Sequence, residues 1–339
     1  MKKKTIQIIA AIILIAVAIY RVSNQKPQVH DHSEMAMGTF VSIDIIDEDF
    51  SPEIMDSAFA IIDKNDSLLA WSNTTSEVNK INNAVENKVR ISKTVSKILK
   101  TSKEISNITD GAFDVTIGII SAEYDFVKKI IPKASKIEEK IKHVNYKNII
   151  FENDFLLKKD KDLKINLGGI AKGYIIDLVK DYLYAKNIEH FVINAGGDMY
   201  LTDKTNGDGW KIGIRHPRKE GELLGNIVVK NKAVVTSGDY EQYFFSDSIR
   251  IHHIIEPKTG LPAGKSISVT VIADKATYAD AMCTAFFVMG PEKGIELANK
   301  INNMDAIFLQ QIEDKLYYST SNNFPKYNFT ISDTSLVKL

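Results

Sequence analysis

Three stretches of the chain place chemistry-bearing residues at informative spacings. In Ala279-Asp280-Ala281-Met282-Cys283-Thr284-Ala285 a carboxylate and a hydroxyl stand four residues apart. On a helix that spacing puts them on one face. Both are hard oxygen ligands that suit Mg²⁺ beside a phosphate, although an ordinary helix face can carry the same pair. Cys283 is soft and reads as packing rather than as a magnesium ligand. The second stretch is Ile165-Asn166-Leu167-Gly168-Gly169-Ile170-Ala171-Lys172-Gly173-Tyr174, which passes through a glycine pair into a helical pattern. Paired glycines let a backbone approach an oxyanion, free N–H groups at a helix start favour negative charge, and Lys172 adds a positive one. The spacing matches neither the dinucleotide fingerprint nor a P-loop, and a strand-to-helix turn without a ligand uses the same glycines. The third stretch is His252-His253-Ile254-Ile255-Glu256-Pro257. A pocket histidine is a candidate base, whereas paired surface histidines are commonly inert. On an extended segment neighbouring side chains point to opposite faces, so only one of the two can enter a pocket.

Further loops set polar groups beside glycine. Asp110-Gly111-Ala112-Phe113-Asp114 mixes carboxylates with an aromatic, which suits a ligand wall or a bland loop equally. Asn194-Ala195-Gly196-Gly197-Asp198 reads on its own as a turn, and Thr236-Ser237-Gly238-Asp239-Tyr240 follows a strand.

Apolar periodicity supplies the frame for these groups. A strand is expected over Met37–Ile46, and Ser51-Pro52 opens a helix with Ile54, Met55, Ala58, Phe59, Ile62 and Leu69 at helical spacing. Helices are expected near Lys93–Ile108, Ile170–Ala185, Ala276–Met289 and Pro291–Ile301. A hairpin over Tyr146–Asn166 should turn around Lys158–Lys161. Strands follow near Phe191–Asn194, Trp210–Arg215, Ile227–Val229, Ala233–Thr236 and Ser266–Ala273, and a pair near Ala306–Leu309 and Leu316–Tyr318 closes the chain. Clustered strands with helices between them indicate α+β rather than regular βαβ alternation.

Composition excludes several classes. The 339 residues carry 43 Lys+Arg against 43 Asp+Glu, so there is no cationic excess for general nucleic-acid binding. A single cysteine excludes an intramolecular disulfide framework and Cys-clustered metal sites. Lys2-Lys3-Lys4 before the apolar run Ile6–Tyr20 is an export pattern. No clear cleavage site follows, so residues 1–21 read as an uncleaved anchor at the plasma membrane, with a cleaved signal as the alternative. The lysines stay cytoplasmic, which puts the rest of the chain outside. Residues 22–34 look like a polar linker. His30 and His32 have metal-ligand spacing, but belong to this tether.

In their order along the chain, these segments resemble the ApbE-like family, the FAD:protein FMN transferases. The matching pieces are Met37-Gly38-Thr39, Ser76-Glu77 with Asn82, Gly111 to Asp114, Leu167 to Tyr174, Asn194 to Asp198, Thr236 to Tyr240, His253 to Gly260 and Ala279 to Thr284. The resemblance implies one T-fold-like α+β catalytic domain over residues 35–339, of mixed and antiparallel sheets with packed helices. It implies an enzyme that splits the FAD pyrophosphate with Mg²⁺, joins FMN to a Ser or Thr hydroxyl of an acceptor flavoprotein and releases AMP. It places flavin or adenine contacts at Met37, Trp71, Ala112, Phe113, Asp114, Asn166, Lys172 and Ile255. Metal ligands fall on the Gly169 carbonyl, Asp280 and Thr284, and the base on His253. Asn166 stands where the family usually has Asp, Glu256 replaces Asp before Pro257, Cys283 replaces an Asp found in relatives, and Trp71 replaces Tyr while keeping an aromatic face. An FAD pyrophosphatase would use the same residues. A flavin-binding or electron-carrying protein that never cleaves its ligand is the other alternative.

Overall fold

A computed structural model of the chain describes residues 28–46 and 50–339. In chain order its strands are β1 (Val29–Ala36), β2 (Thr39–Ile46), β3 (Lys88–Arg90), β4 (Ile149–Glu152), β5 (Phe155–Lys158), β6 (Phe191–Ala195), β7 (Asp198–Leu201), β8 (Trp210–Arg215), β9 (Leu223–Val229), β10 (Lys232–Gly238), β11 (Tyr243–Ser246), β12 (Ile249–His252), β13 (Ser268–Ala273), β14 (Met304–Ile312), β15 (Lys315–Thr320), β16 (Thr330–Ile331) and β17 (Val337–Lys338). The helices are α1 (Pro52–Leu69), α2 (Glu77–Asn83), α3 (Lys93–Ile108), α4 (Gly118–Ser121), α5 (Ala134–Ile141), α6 (Ala171–Ala185), α7 (Ala276–Met289) and α8 (Pro291–Ala298).

Nine strands form the main sheet in the order β1-β2-β6-β7-β10-β13-β14-β15-β17. Its pairings are antiparallel except for the last, β15 with β17. In its central strands side-chain alternation gives two buried faces. Val235, Val269, Val271 and Phe308 pack with the helices α1, α3, α6 and α7. Val234, Ile272 and Ile307 point the other way, against Ile214, Leu224 and Ile227 of the three-stranded sheet β8-β9-β16. Being covered on both sides, every residue of β13 is buried.

The observed elements depart from expectation in several places. Residues 29–36, expected within or just past the polar linker, form β1 and pair with β2 from Val29↔Ile46 to Ala36↔Thr39. His30 stacks on Phe50 and His32 bonds Glu34, so neither belongs to a tether. The hairpin turns at Asn153 and Asp154 rather than at Lys158–Lys161. Lys158 is instead a buried strand residue whose Nζ donates to the Ile81 and Ala84 carbonyls at 3.2 and 3.3 Å. The chain does not close on β14 and β15, since a turn at Phe324–Tyr327, β16 and β17 follow. Most of the expected anchor and linker, residues 1–27, lies outside the described residues. Among those described, no helix is long and apolar enough to cross a membrane.

Candidate active site

The contact between α6 and α7 sets the site. Asp177 on α6 accepts from Ala276 N at 3.0 Å, Thr277 N at 2.9 Å and Thr277 Oγ1 at 2.6 Å, which caps α7 with a carboxylate where its amides are open. This fixes how far along α6 the helix α7 starts, and places Asp280 beside Gly173. Gly173 N donates to Asp280 Oδ2 at 2.9 Å. Lys172, one residue earlier, pairs with Asp198 Oδ2 at 2.5 Å. Asp198 and Asp280 are both buried. Burial works against the Lys172 charge, but the carboxylates of Asp198 and Asp280 outweigh it and raise the ammonium above its ordinary value. Asp280 is raised by burial and by Asp198, with Lys172 and the Gly173 amide pulling the other way.

The Gly168-Gly169 turn is held by Asn166, whose N donates to Val115 O at 2.8 Å and whose Oδ1 accepts from Gly168 N at 2.8 Å. Gly169 faces α7 so closely that a Cβ there would stand 2.9 Å from Thr284 Oγ1. Ile170 N and Ala171 N both bond Leu167 O. The amides of Gly168, Ile170 and Ala171 are therefore engaged internally, so these three are not among the free N–H groups expected at this helix start. Lys172 adds its ammonium beside the turn.

The β11–β12 hairpin delivers the histidines. His252 ends β12 and is buried, with Nε2 donating to Ala263 O at 2.9 Å. His253, pointing the other way, reaches the cavity. Its Nδ1 lies 3.3 Å from Gln242 O, and because a carbonyl only accepts, Nδ1 carries the proton and Nε2 is left basic. The residue is exposed at the cavity, and the protein groups crowded around the ring, with His252 and Lys172 beside it, lower its pKa, so it is neutral near pH 7.

Asn166, Gly169, Lys172, His253, Ile255, Asp280 and Thr284 all line one cavity of about 350 Å³ between the helices and β10. Five other expected contacts do not line it. Met37 sits in the β1–β2 turn with φ 53°, its N donating to Asp66 Oδ2 at 3.0 Å. Trp71 is partly exposed just past α1. Ala112 lines a separate hollow with Asp110, Glu256 and Lys258. Phe113 is buried, with its ring 3.4 Å from where a Gly169 Cβ would be. Asp114 accepts from Thr116 N, Thr116 Oγ1 and Tyr146 N, so its carboxylate braces the loop. Sequence reasoning left Asp198 out of the site, although the second glycine pair pointed to it. Cys283 Sγ donates to Val269 O at 3.0 Å and accepts from Ser237 N at 3.1 Å, and burial pushes its thiol up to about 12.

Residues 37–308 match the model of the ApbE family. The chain belongs to the ApbE family. It is 30% identical to the FAD:protein FMN transferase of Klebsiella pneumoniae (strain 342) over 294 residues, 85% of this chain and 91% of the relative. The ApbE protein of Thermotoga maritima superposes with a TM-score of 0.81 at 30% identity, covering 88% of this chain and 99% of that one. The flavin transferase ApbE from Vibrio cholerae gives 0.81 at 25% identity, covering 89% and 100%. The mixed α+β arrangement above is thus the ApbE fold. The ApbE cavity of this chain fits a hard cation by its donor chemistry. Thr284 Oγ1 has no protein hydrogen-bond partner among the described residues, faces Gly169, and shares the cavity with the Asp280 carboxylate.

Proposed function

We propose that the chain transfers FMN from FAD to a Ser or Thr hydroxyl of an acceptor protein, with Mg²⁺, releasing AMP. The observation that carries this reading is the meeting of a neutral His253, Lys172, Asp280 and Thr284 in one cavity of a chain whose relatives are named FAD:protein FMN transferases. The acceptor oxygen attacks the phosphorus of the FMN half. A phosphoester forms, the anhydride P–O bond breaks, and AMP leaves with its electron pair. His253 Nε2 takes the hydroxyl proton, while the bond to Gln242 O holds the ring in the tautomer that can accept it. Lys172, held by Asp198, presents its charge to the pyrophosphate. Held by Asp280, Thr284 and the Gly169 carbonyl, Mg²⁺ would neutralise charge on the phosphate oxygens. Asn166 and Ile255, which line the cavity, are proposed to contact the flavin or adenine, whereas for Met37, Trp71, Ala112, Phe113 and Asp114, which lie outside it, the support is the family resemblance alone. Residues 1–21 are proposed to anchor the chain with its catalytic part outside the cytoplasm, a reading supported by Lys2–Lys4 and the apolar run after them.

The test is to incubate the protein with FAD, Mg²⁺ and an acceptor domain and to weigh both proteins. The acceptor should gain one FMN as AMP appears. FMN and AMP accumulating beside an unmodified acceptor would replace transfer by hydrolysis. FAD held intact would make the chain a flavin carrier.

A further inference from the structure

Asn82 does not line the cavity, yet its hydrogen bonds lead to it. Residues 164–166 run directly into the Gly168-Gly169 turn. On one edge they bond the main chain of 115–117, through Asn166 N to Val115 O at 2.8 Å and a parallel bridge between Lys164 and Ile117. On the other edge no strand of the described residues pairs with them. Asn82 occupies that edge. Ile165 N donates to Asn82 Oδ1 at 2.6 Å, and Asn82 Nδ2 donates to Ile165 O at 2.7 Å. One side-chain amide makes the donor and acceptor pair that a neighbouring strand would supply.

Asn82 is itself held at both ends of α2. Ser76 Oγ caps the helix by accepting from Asn79 N at 2.9 Å, and Glu77 Oε1 accepts from Ser92 N at 2.6 Å, tying α2 to the start of α3. At the other end the buried Lys158 satisfies the Ile81 and Ala84 carbonyls that a short helix leaves open.

We infer that Asn82 is a positioning residue for the flavin and metal site: it stands in for a missing strand and fixes the main chain that presents Asn166 and the Gly169 carbonyl. The inference rests on the reading of the cavity as the FAD site. Asn82→Asp tests it in the full chain. The substitution is isosteric and still accepts from Ile165 N, but it sets an oxygen against Ile165 O. Two quantities are read: amide hydrogen exchange over residues 164–171, and FAD affinity from flavin fluorescence. Exchange there should rise roughly tenfold with Ser268–Ala273 unchanged, and FAD affinity should fall roughly tenfold, the scale of one lost, half-buried hydrogen bond. Wild-type exchange would overturn the inference. So would looser exchange with unchanged FAD affinity, which would leave Asn82 a purely structural role. If Asn82→Asp does not fold, Asn82→Ala removes both bonds without adding a charge and carries the same expectations. A wild-type chain that binds FAD but transfers no FMN would remove the proposed transfer and leave both readouts standing. One that binds no FAD would overturn both.

Discussion

Gly173 lies against Asp280 so closely that a Cβ on it would come within 2.8 Å of Asp280 Cβ and 2.1 Å of the Ala276 carbonyl oxygen. No flexible side-chain end can yield at that contact, because the nearer atom is backbone. Gly173→Ala should force α6 and α7 apart and destabilise the fold by about 1–3 kcal/mol, the usual cost of overpacking. Helix propensity alone argues the reverse, since Ala is favoured over Gly in a helix interior. Thermal unfolding decides between them: a raised Tm would show that the helices do not meet as described.

Asp280→Ala should abolish FMN transfer, because it removes the carboxylate of the proposed metal set. Thr284→Ala should weaken metal binding less, since a hydroxyl gives a neutral oxygen that water can replace. Transfer rates against Mg²⁺ concentration separate the two. A rate unaffected by EDTA would refute the metal assignment.

His253→Ala should cut the rate by roughly 10²–10⁴-fold while FAD still binds, the worth of a positioned proton acceptor. His252 is a different case. Its Nε2 donates to Ala263 O, and its Nδ1 accepts from Ile254 N at 3.3 Å, all inside the protein. His252→Ala should therefore cost about 1–3 kcal/mol of stability by leaving buried partners unmade, with little loss of rate in the molecules that remain folded. Comparing melting curves with rates at saturating FAD and acceptor separates these effects. Equal rate losses in both variants would mean that the pair acts structurally.

The two titrating groups predict different pH behaviour. Because burial and Asp198 raise the Asp280 carboxyl to about 7, a proton competes with the metal around neutral pH and below. Apparent Mg²⁺ affinity should rise with pH and then level. His253 stays neutral down toward about 4, so the rate at saturating metal should stay flat over that range. In the unfolded chain the ring protonates at its ordinary 6.5, and in the folded chain only near 4. Its contribution to stability is therefore complete above 6.5 and falls as pH drops from there, by a small amount because the side chain is exposed to solvent. Metal titrations and melts across a pH series test both. A saturating-metal rate with its midpoint at the ordinary histidine value would show that the ring is not desolvated in this way.

What the sequence revealed depended on the range of the interaction. Asp280 and Thr284 could be paired because four residues is one helical turn, and His253 could be separated from His252 because strand side chains alternate. The boundaries of α1, α3 and α7 followed from apolar spacing and from Pro52. β1 was missed because nearly all its side chains are exposed and mostly polar, so no alternation marks it. The hairpin turn was misplaced because the sequence does not show that Lys158 is buried and serves the end of α2. The bonds of Asn82 to Ile165 and of Lys172 to Asp198 join positions far apart in sequence, where spacing carries no signal.

The pairing of β2 with β6 also orders the molecule in time. Val41 must wait for Ala195, and β7 must wait for β10. The helix that carries Asp280 and Thr284 comes after both, and the strand beside β13 is made later still. Such non-local pairing makes folding slow. A nascent chain that has released its first two hundred or so residues holds the glycine turn and Lys172 but neither His253 nor the acidic face of α7. The proposed site is complete only once Thr284 has been made, so its two halves are joined late in synthesis.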